Sequence, residues 1–549
     1  MKKILYFPTL ILLASLISCN TMKKDADLII HNTSIYTLDD AFSVQECLVI
    51  KDGKILAVGG DELLDTYFSK NMLDAGGKYI YPGFYDAHCH FLSYGVGKMQ
   101  RADLKGTTSF DEVVERVVEH SKVNPSEWIE GRGWDQNDWE TKEFPDREKL
   151  DKLFPDRPVL LIRIDGHAAL VNGEALRRAG ITADTEVPGG DIIIKNGEPS
   201  GVLIDNAIEI VRDLIPEEDP ELKKAGLMAG QEDCFATGLT SVMDAGLKVA
   251  DIRLIDSLQQ AGVLKIKINA MLSSMDSNYL TFMQQGEYKT DRLHVNSIKL
   301  FADGALGSRG ACMIHDYSDD PGNYGLIMHK EEFYRAVIEN AVRYNYQVNT
   351  HAIGDSGNRF ILELYAEYLG GPNDRRWRVE HAQVIHEDDF DIFKQYNIIP
   401  SVQATHATSD MYWAIDRVGP ERMKGAYAYR RLLSLNGWMP NGTDFPIEKI
   451  SPLLTFYAAV VRKDLEGFPE GGFQMQDALN REEALRSITI WAAKAAFEEK
   501  EKGSLEAGKD ADIVILDSDL MAIEELEIPK VNVLNTFVNG EMVFGAMMK

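Results

Sequence analysis

Only five cysteines occur in the 549 residues, at positions 19, 47, 89, 234 and 312, and no two of them stand in CxxC spacing. No disulfide framework is legible in that pattern. Positive charge is scarce as well: 58 Lys and Arg against 86 Asp and Glu leave a formal charge of −28. A surface of that sign repels phosphate backbones and anionic lipid heads, so nucleic-acid binding is excluded as a function class. Short-period repeats and low-complexity linkers are missing too, and the acidic residues are scattered, as on a solvated surface. The one conspicuous apolar run, Ile4 to Ile17, is too short and wrongly flanked to span a bilayer.

That run follows Lys2-Lys3 and ends in Leu16-Ile-Ser-Cys19. It reads as an export signal over residues 1–18, and the tetrapeptide resembles a bacterial lipobox. The resemblance implies cleavage before Cys19, lipidation of its side chain, and an exported protein held at a membrane of the cell envelope by several acyl chains. An ordinary secretory signal with a chance cysteine is the other reading.

The remaining length allows a large core and more than one domain. Residues 27–80 read as strands, including Asp27-Leu-Ile-Ile-His and an Asp52-Gly53 hairpin. The far end repeats that style in Ala511-Asp-Ile-Val-Ile-Leu and in two runs around Asn539-Gly540. Each end supplies too few strands to bury a core, so residues 19–80 and 500–549 are expected to meet in one small β-sandwich.

Between them, over residues 81–499, strand-like runs alternate with helices. They are the run before His88, then those beginning at Thr240, Lys265, Ser297, Gln347, Trp377, Ile398 and Trp438. Eight such runs with helical crossovers predict an α/β architecture, a (β/α)8 TIM barrel. Asn480 and Glu483 predict a capped helix near 481–497 that closes it. The connection from His90 to Thr240 is far longer than the about 2–6 residues of an ordinary βα loop, and it carries its own helix and hairpin signals. Residues 100–235 are therefore expected to form a lid over the barrel mouth that sets substrate choice.

Chemistry-bearing residues stand at the ends of those runs. In Tyr81-Pro-Gly-Phe-Tyr-Asp-Ala-His-Cys-His90 the two histidines are spaced i, i+2, which on an extended backbone points both to one face. Such a pair suits one divalent metal, or else two partly buried, hydrogen-bonded histidines. Lys299, His351, His381 and Asp444 end four later runs, on the face where barrels carry active sites. Cys89, between the histidines, should point the other way and pack.

Taken together with Lys299-Leu-Phe-Ala-Asp-Gly-Ala-Leu-Gly-Ser-Arg, His351-Ala-Ile-Gly-Asp, Val379-Glu-His-Ala-Gln, Gln403-Ala-Thr-His-Ala-Thr-Ser-Asp and Gly442-Thr-Asp-Phe-Pro, this order resembles the amidohydrolase superfamily, in its YtcJ-like amidohydrolase-3 branch. Gly503-Ser-Leu-Glu-Ala-Gly-Lys-Asp-Ala-Asp resembles the superfamily's return to the sandwich. The resemblance implies a site for two divalent metal ions, with zinc expected. His88, His90 and Asp444 would hold the first ion, and His351 and His381 the second. A protonated Lys299 would be repelled by two dications, whereas an N6-carboxylysine at that position would bridge them. The alternative is a neutral lysine, or one paired with Asp303.

The implied reaction is hydrolysis of an amide, N-acyl or N-formyl amine or cyclic amide of a small molecule. Water activated by the metals attacks, and Asp444 serves as general base and then general acid. An ester, lactone or phosphoester is the alternative bond, and a ligand-binding lipoprotein without catalysis the alternative class; a homodimer stays open. His167 from the lid, His406, Trp134 (with Trp139) and Asp303 are the candidates for substrate contact. Gly304 to Gly310 is read as a loop shaped for backbone access near the metals. Gly354-Asp-Ser-Gly-Asn mimics a serine-protease fragment, but it opens a helix, so Asp355 or Ser356 is expected to cap it. Asn441-Gly-Thr-Asp departs from the family's Gly-Ser-Asp, and Phe445 is expected to narrow the pocket.

Overall fold

The computed structural model describes residues 23–546, so the export signal and Cys19 lie outside the described residues. Two strands follow one another with only Gly83 between them, Met72–Pro82 and Phe84–Cys89, and they belong to different sheets. Gly83 makes the hand-over: its N–H bonds Asp512 O in the first sheet, and the next N–H, of Phe84, bonds Gly238 O in the second. A Cβ at position 83 would lie 2.3 Å from Thr240 Cγ2, so no larger residue fits the crossing. Tyr81 and Pro82, expected to open the barrel region, thus still belong to the terminal sheet. Pro82 ends that strand, and the barrel begins two residues later, at Phe84.

The barrel strands are β1 (Phe84–Cys89), β2 (Leu239–Leu247), β3 (Lys267–Ser273), β4 (Leu293–Phe301), β5 (Gln347–Ala352), β6 (Arg378–His381) and β7 (Ile399–Ser401). They pair in sequence order and in parallel. The eighth stave, around Pro440 to Asp444, forms no regular strand. Pro440 has no N–H to give, and Asp444 sits at φ +59°. It still closes the ring: Gly442 N–H bonds Val402 O on one side, and Asp444 N–H bonds His88 O at 2.8 Å on the other.

Helices cover the outside because their apolar positions recur at helical spacing. In Glu331–Tyr344 the buried residues are Tyr334, Val337, Ile338 and Ala341, and the helix stops where Asn345 turns left-handed. These side chains pack on Ile298, Leu300 and Val348 in one continuous core that also holds Cys89. The bottom is plugged by two short helices, Arg481–Ser487 and Ile490–Ala495. The first begins with the capping box of Asn480 and Glu483, and the alanines of the second pack on Tyr85 and Met243.

The chain ends combine in one sheet with strand order 541–545, 533–538, 513–516, 72–82, 28–36, 47–51, 54–59. Its core joins Ile30, Leu48, Ile55 and Ile80 from the front of the chain with Leu505, Ile513 and Ile515 from the back. The segment after β1 builds a separate six-stranded mixed sheet between Ala102 and Asp205, with an apolar cluster on each face. Helix Pro220–Ala236, inside the span expected for the insertion, instead packs on helix Phe91–Gln100 and leads into β2. Gly95 and Gly226 permit that contact, since a Cβ on Gly95 would lie 2.1 Å from Gly226 O. No helix among the described residues is long and apolar enough to cross a membrane.

Candidate metal centre

The C-terminal rim of the barrel gathers the strand-end residues because parallel register aligns them: Phe301 of β4 lies opposite His351 of β5, and Ala352 lies opposite His381 of β6. Nε2 of His88 stands 3.2 Å from Lys299 Nζ and 3.7 Å from Asp444 Oδ1. His90 Nε2 is 3.4 Å from the same oxygen, and His381 Nδ1 is 4.0 Å from Asp444 Oδ2. The ring centre of His351 lies 4.6 Å from that of His381. His381 at φ +71° and Asp444 at φ +59° both hold backbone conformations that side-chain-bearing residues seldom adopt. Such positions persist only where the surroundings impose them, and they concentrate at functional sites.

Buried polar partners hold each ligand-type residue in place. His88 Nδ1 bonds Glu380 Oε2 at 2.5 Å, and Glu380 in turn forms a two-pronged ion pair with Arg378, all three fully buried. The Asp86 carboxylate accepts from the backbone N–H groups of His88 and Thr443 and from the Thr443 hydroxyl, locking the first and eighth staves together. His381 Nδ1 meets Gln403 Oε1 at 2.6 Å. Asp444 Oδ2 is 3.2 Å from His406 Nε2, whose Nδ1 is 3.1 Å from Glu448 Oε1. From the lid, His167 brings its ring centre to 4.9 Å from that of His351, its Nδ1 tied to Asp205 at 2.6 Å.

Burial decides the charges here. Desolvation and the Lys299 charge pull His88 down to about 4, and burial with neighbouring cations pulls His351 and His381 well below the ordinary imidazole value. The imidazoles are therefore neutral, the form that ligates metals. Burial lowers the Lys299 amine to about 8. Asp444 resists its burial penalty, held ionised well below the usual carboxylate range chiefly by the bond from His406.

The ligand atoms of His88, His381 and Asp444 lie within 4.8 Å of one another. Asp444 Oδ1 is buried with no hydrogen-bond partner, although it faces two imidazole nitrogens. An orphaned anionic oxygen facing imidazole nitrogens is costly in isolation and is satisfied by a cation, so these residues fit a divalent metal of the zinc type.

A cavity of about 360 Å³ opens over this cluster, lined by His90, Lys299, His351, His381, His406 and Asp444 from the barrel and by His167 from the lid. Four residues expected near substrate do not line the cavity. Trp134 and Trp139 are lid core, their indole N–H groups bonded to Leu161 O and Thr107 O. Asp303 is fully buried behind His351, its Oδ1 3.8 Å from His351 Nε2, and accepts from the N–H groups of Cys312, Ile353 and Gly354, so it positions the loop after His351 and pairs with no lysine among the described residues. Phe445 is buried against Tyr94 and does not narrow the cavity.

Helix Asp355–Leu369 starts at Gly354 without a side-chain cap, because the Asp355 carboxylate is taken by the Ile314 N–H. In the loop after Lys299 the glycines make room for lid charges. A Cβ on Gly304 would lie 2.3 Å from Asp205 Oδ2, and one on Gly307 would lie 2.8 Å from Arg163 Nη1. Sequence reasoning missed Glu380, Glu448 and the lid's Lys105. For Glu380 a signal existed: Arg378 and Glu380 stand two apart on one short buried strand, Arg378–His381, so opposite charges on one face demand an internal ion pair.

Known proteins resemble this chain in sequence and fold. The family model described as "Amidohydrolase family" matches residues 71–544. YtcJ of Bacillus subtilis, which carries the name of an amidohydrolase, is 31% identical over 94% of this chain and 98% of its own. The N-substituted formamide deformylase of Arthrobacter pascens is 26% identical over 94% of this chain and 98% of its own. Among solved structures, a metal-dependent hydrolase from Pyrococcus horikoshii superposes with a TM-score of 0.73 at 28% identity, covering 91% of this chain and 99% of that one. A barrel that gathers neutral histidines, a buried lysine and an aspartate at its rim, matched along nearly its whole length by that family, makes this chain a member of the amidohydrolase family of hydrolases.

Proposed function

We propose that this protein cleaves the C–N bond of a small amide, N-acyl or N-formyl amine, or cyclic amide. His88, His90 and Asp444 would hold one divalent ion and His351 and His381 a second, with zinc the expected metal. The observation that carries this reading is Asp444 Oδ1, buried, ionised and unpartnered beside two imidazole nitrogens. Lys299 supports a two-ion site: its amine is buried, lies against the Phe301 ring at 4.8 Å, and bonds no carboxylate among the described residues. Burial brings the amine to about 8, so a fraction of it is neutral near pH 7, and that form can add carbon dioxide and lose a proton, giving an anionic carbamate with two oxygens for the ions. The formamide deformylase relative supports the choice of bond.

Bound ions would supply a polarised carbonyl and a water acidified enough to react at neutral pH. The protein's own groups do the rest. Asp444 takes the proton of the attacking water and passes it to the departing nitrogen, with His406 and Glu448 fixing the orientation of its carboxylate. The Asp205 bond to Nδ1 of His167 leaves Nε2 to face the carbonyl oxygen from the lid side. Export and lipidation at Cys19 belong to the same proposal, placing the enzyme at the cell envelope.

The test is hydrolysis of N-formyl and N-acetyl amines by the metal-loaded protein. Chelation should abolish it, and Asp444→Asn should lower the rate by about two to four powers of ten, the usual span of general acid–base catalysis, with an unchanged circular dichroism spectrum. Turnover that survives both treatments would reject the proposal.

A further inference from the structure

The lid side of the cavity carries positive charge that the fold leaves unpaired. Lys105, which lines the cavity, donates through Nζ to the carbonyl of Pro446, two residues beyond Asp444. Its stem lies across Gly133, where a Cβ would stand 2.5 Å from Lys105 Cγ, and Gly133 itself sits at φ +114°. The glycine therefore clears a path for the lysine from the lid sheet to the barrel rim. Arg132, next to that glycine, has a buried Nε with no partner and only a long 3.4 Å bond from Nη2 to Ile164 O. Neither cation forms an ion pair with a described carboxylate.

The acids that share this cavity are mostly committed elsewhere. Asp135 and Asp165 both grip Arg163, Glu448 is held by His406 and Ser409, and Asp410 accepts from Tyr427 and Gln383. Asp138 and Lys449 stand exposed at the rim and offset one another in sign. Apart from Asp444 in the candidate metal centre, what remains uncommitted on this side is cationic, in a chain that carries 28 more acidic than basic residues.

We propose that the substrate carries a carboxylate close to the scissile C–N bond, and that Lys105, backed by the charge of Arg132, binds it. The substrate class is thus N-acyl or N-formyl amino acids and related amido acids, in preference to neutral amides. This inference rests on the hydrolase site proposed above and adds the ligand chemistry.

Two probes that resist hydrolysis, N-methylsulfonyl-phenylglycine and N-methylsulfonyl-benzylamine, differ by one carboxylate. Titration calorimetry on the metal-loaded enzyme should show the acid binding at least about tenfold more tightly, the factor made by about 1.4 kcal/mol of differential binding. Lys105→Met should bring the two affinities within about threefold, and Lys105→Arg should restore most of the difference. If Lys105→Met does not fold, Gly133→Ala, which forces the lysine aside, should reduce the preference in the same way. Equal affinities in the wild-type enzyme, no binding of either probe, or a preference that Lys105→Met leaves intact would each overturn the assignment. Hydrolysis of the matching N-formyl pair is measured separately. A binding preference without any turnover would strike the proposed reaction and leave carboxylate recognition standing.

Discussion

Glu380→Gln is the substitution that separates the support of the proposed metal centre from its proposed ligands. In the native protein one carboxylate serves two buried partners. Oε2 receives His88 Nδ1 at 2.5 Å, and both oxygens receive Arg378, at 2.5 and 2.7 Å. Glutamine has nearly the same shape but no charge, and one of its two positions becomes an NH2 group. Either His88 or Arg378 then meets a donor where an acceptor stood. A buried donor without a partner costs about 1–3 kcal/mol, and a buried ion pair deprived of one member about 3–5 kcal/mol. Arg378 keeps bonds to Ala87 O and Ser401 Oγ, which places the expected loss near 3 kcal/mol. Loss of the carboxylate behind a ligating histidine should also weaken metal retention about 10–100-fold.

The assay is paired: urea denaturation followed by tryptophan fluorescence, and metal content after dialysis against a graded chelator series. The double variant Arg378→Met/Glu380→Leu removes both charges together. It should recover most of the stability, since an apolar replacement of a buried pair is often neutral, yet metal retention should stay low because His88 has no acceptor. Wild-type metal retention in either variant would refute the role given to Glu380.

The pH dependence of the metal-free protein follows from its buried imidazoles. His88 falls from 6.5 to about 4 on folding, so between those values the unfolded chain takes up a proton that the folded chain refuses. Stability is full above pH 6.5 and declines as pH drops, by on the order of 3 kcal/mol at pH 4 from this group alone; a flat urea midpoint between pH 7 and pH 4.5 would contradict it. Gly83→Ala should cost about 1–3 kcal/mol by overpacking against Thr240, and Thr240→Ala should relieve it; additive losses in a double-mutant cycle would show that the crossing is not tight. Gly304→Ala, by displacing Asp205 and with it His167, should lower kcat/KM by up to about 100-fold while the melting curve moves little; unchanged kinetics would detach His167 from the substrate.

The meeting of the strand-end residues was legible because their pattern is local: a residue that ends a parallel strand lies at the barrel mouth, whatever the rest of the chain does. His88, His90, Lys299, His351, His381 and Asp444 meet there. What sequence could not give was the direction of side chains beside those ends. Trp134 and Asp303 stand in the right segments, but one turns into the lid core and the other into a cage of backbone N–H groups. Strand bounds failed where two strands run on without a loop, at Gly83. Lys105 stayed hidden because its significance is tertiary: only the meeting of lid and barrel shows a lysine crossing a glycine to reach Pro446.

The most direct measurement is the number of divalent ions per chain in the purified protein, read by elemental mass spectrometry beside electron density at Lys299. The centre as built here should hold two ions per chain, with added density on Nζ, and His381→Ala should reduce the count to one or fewer. A protein that carries no metal, shows an unmodified lysine and still cleaves N-formyl amines in excess chelator would contradict it.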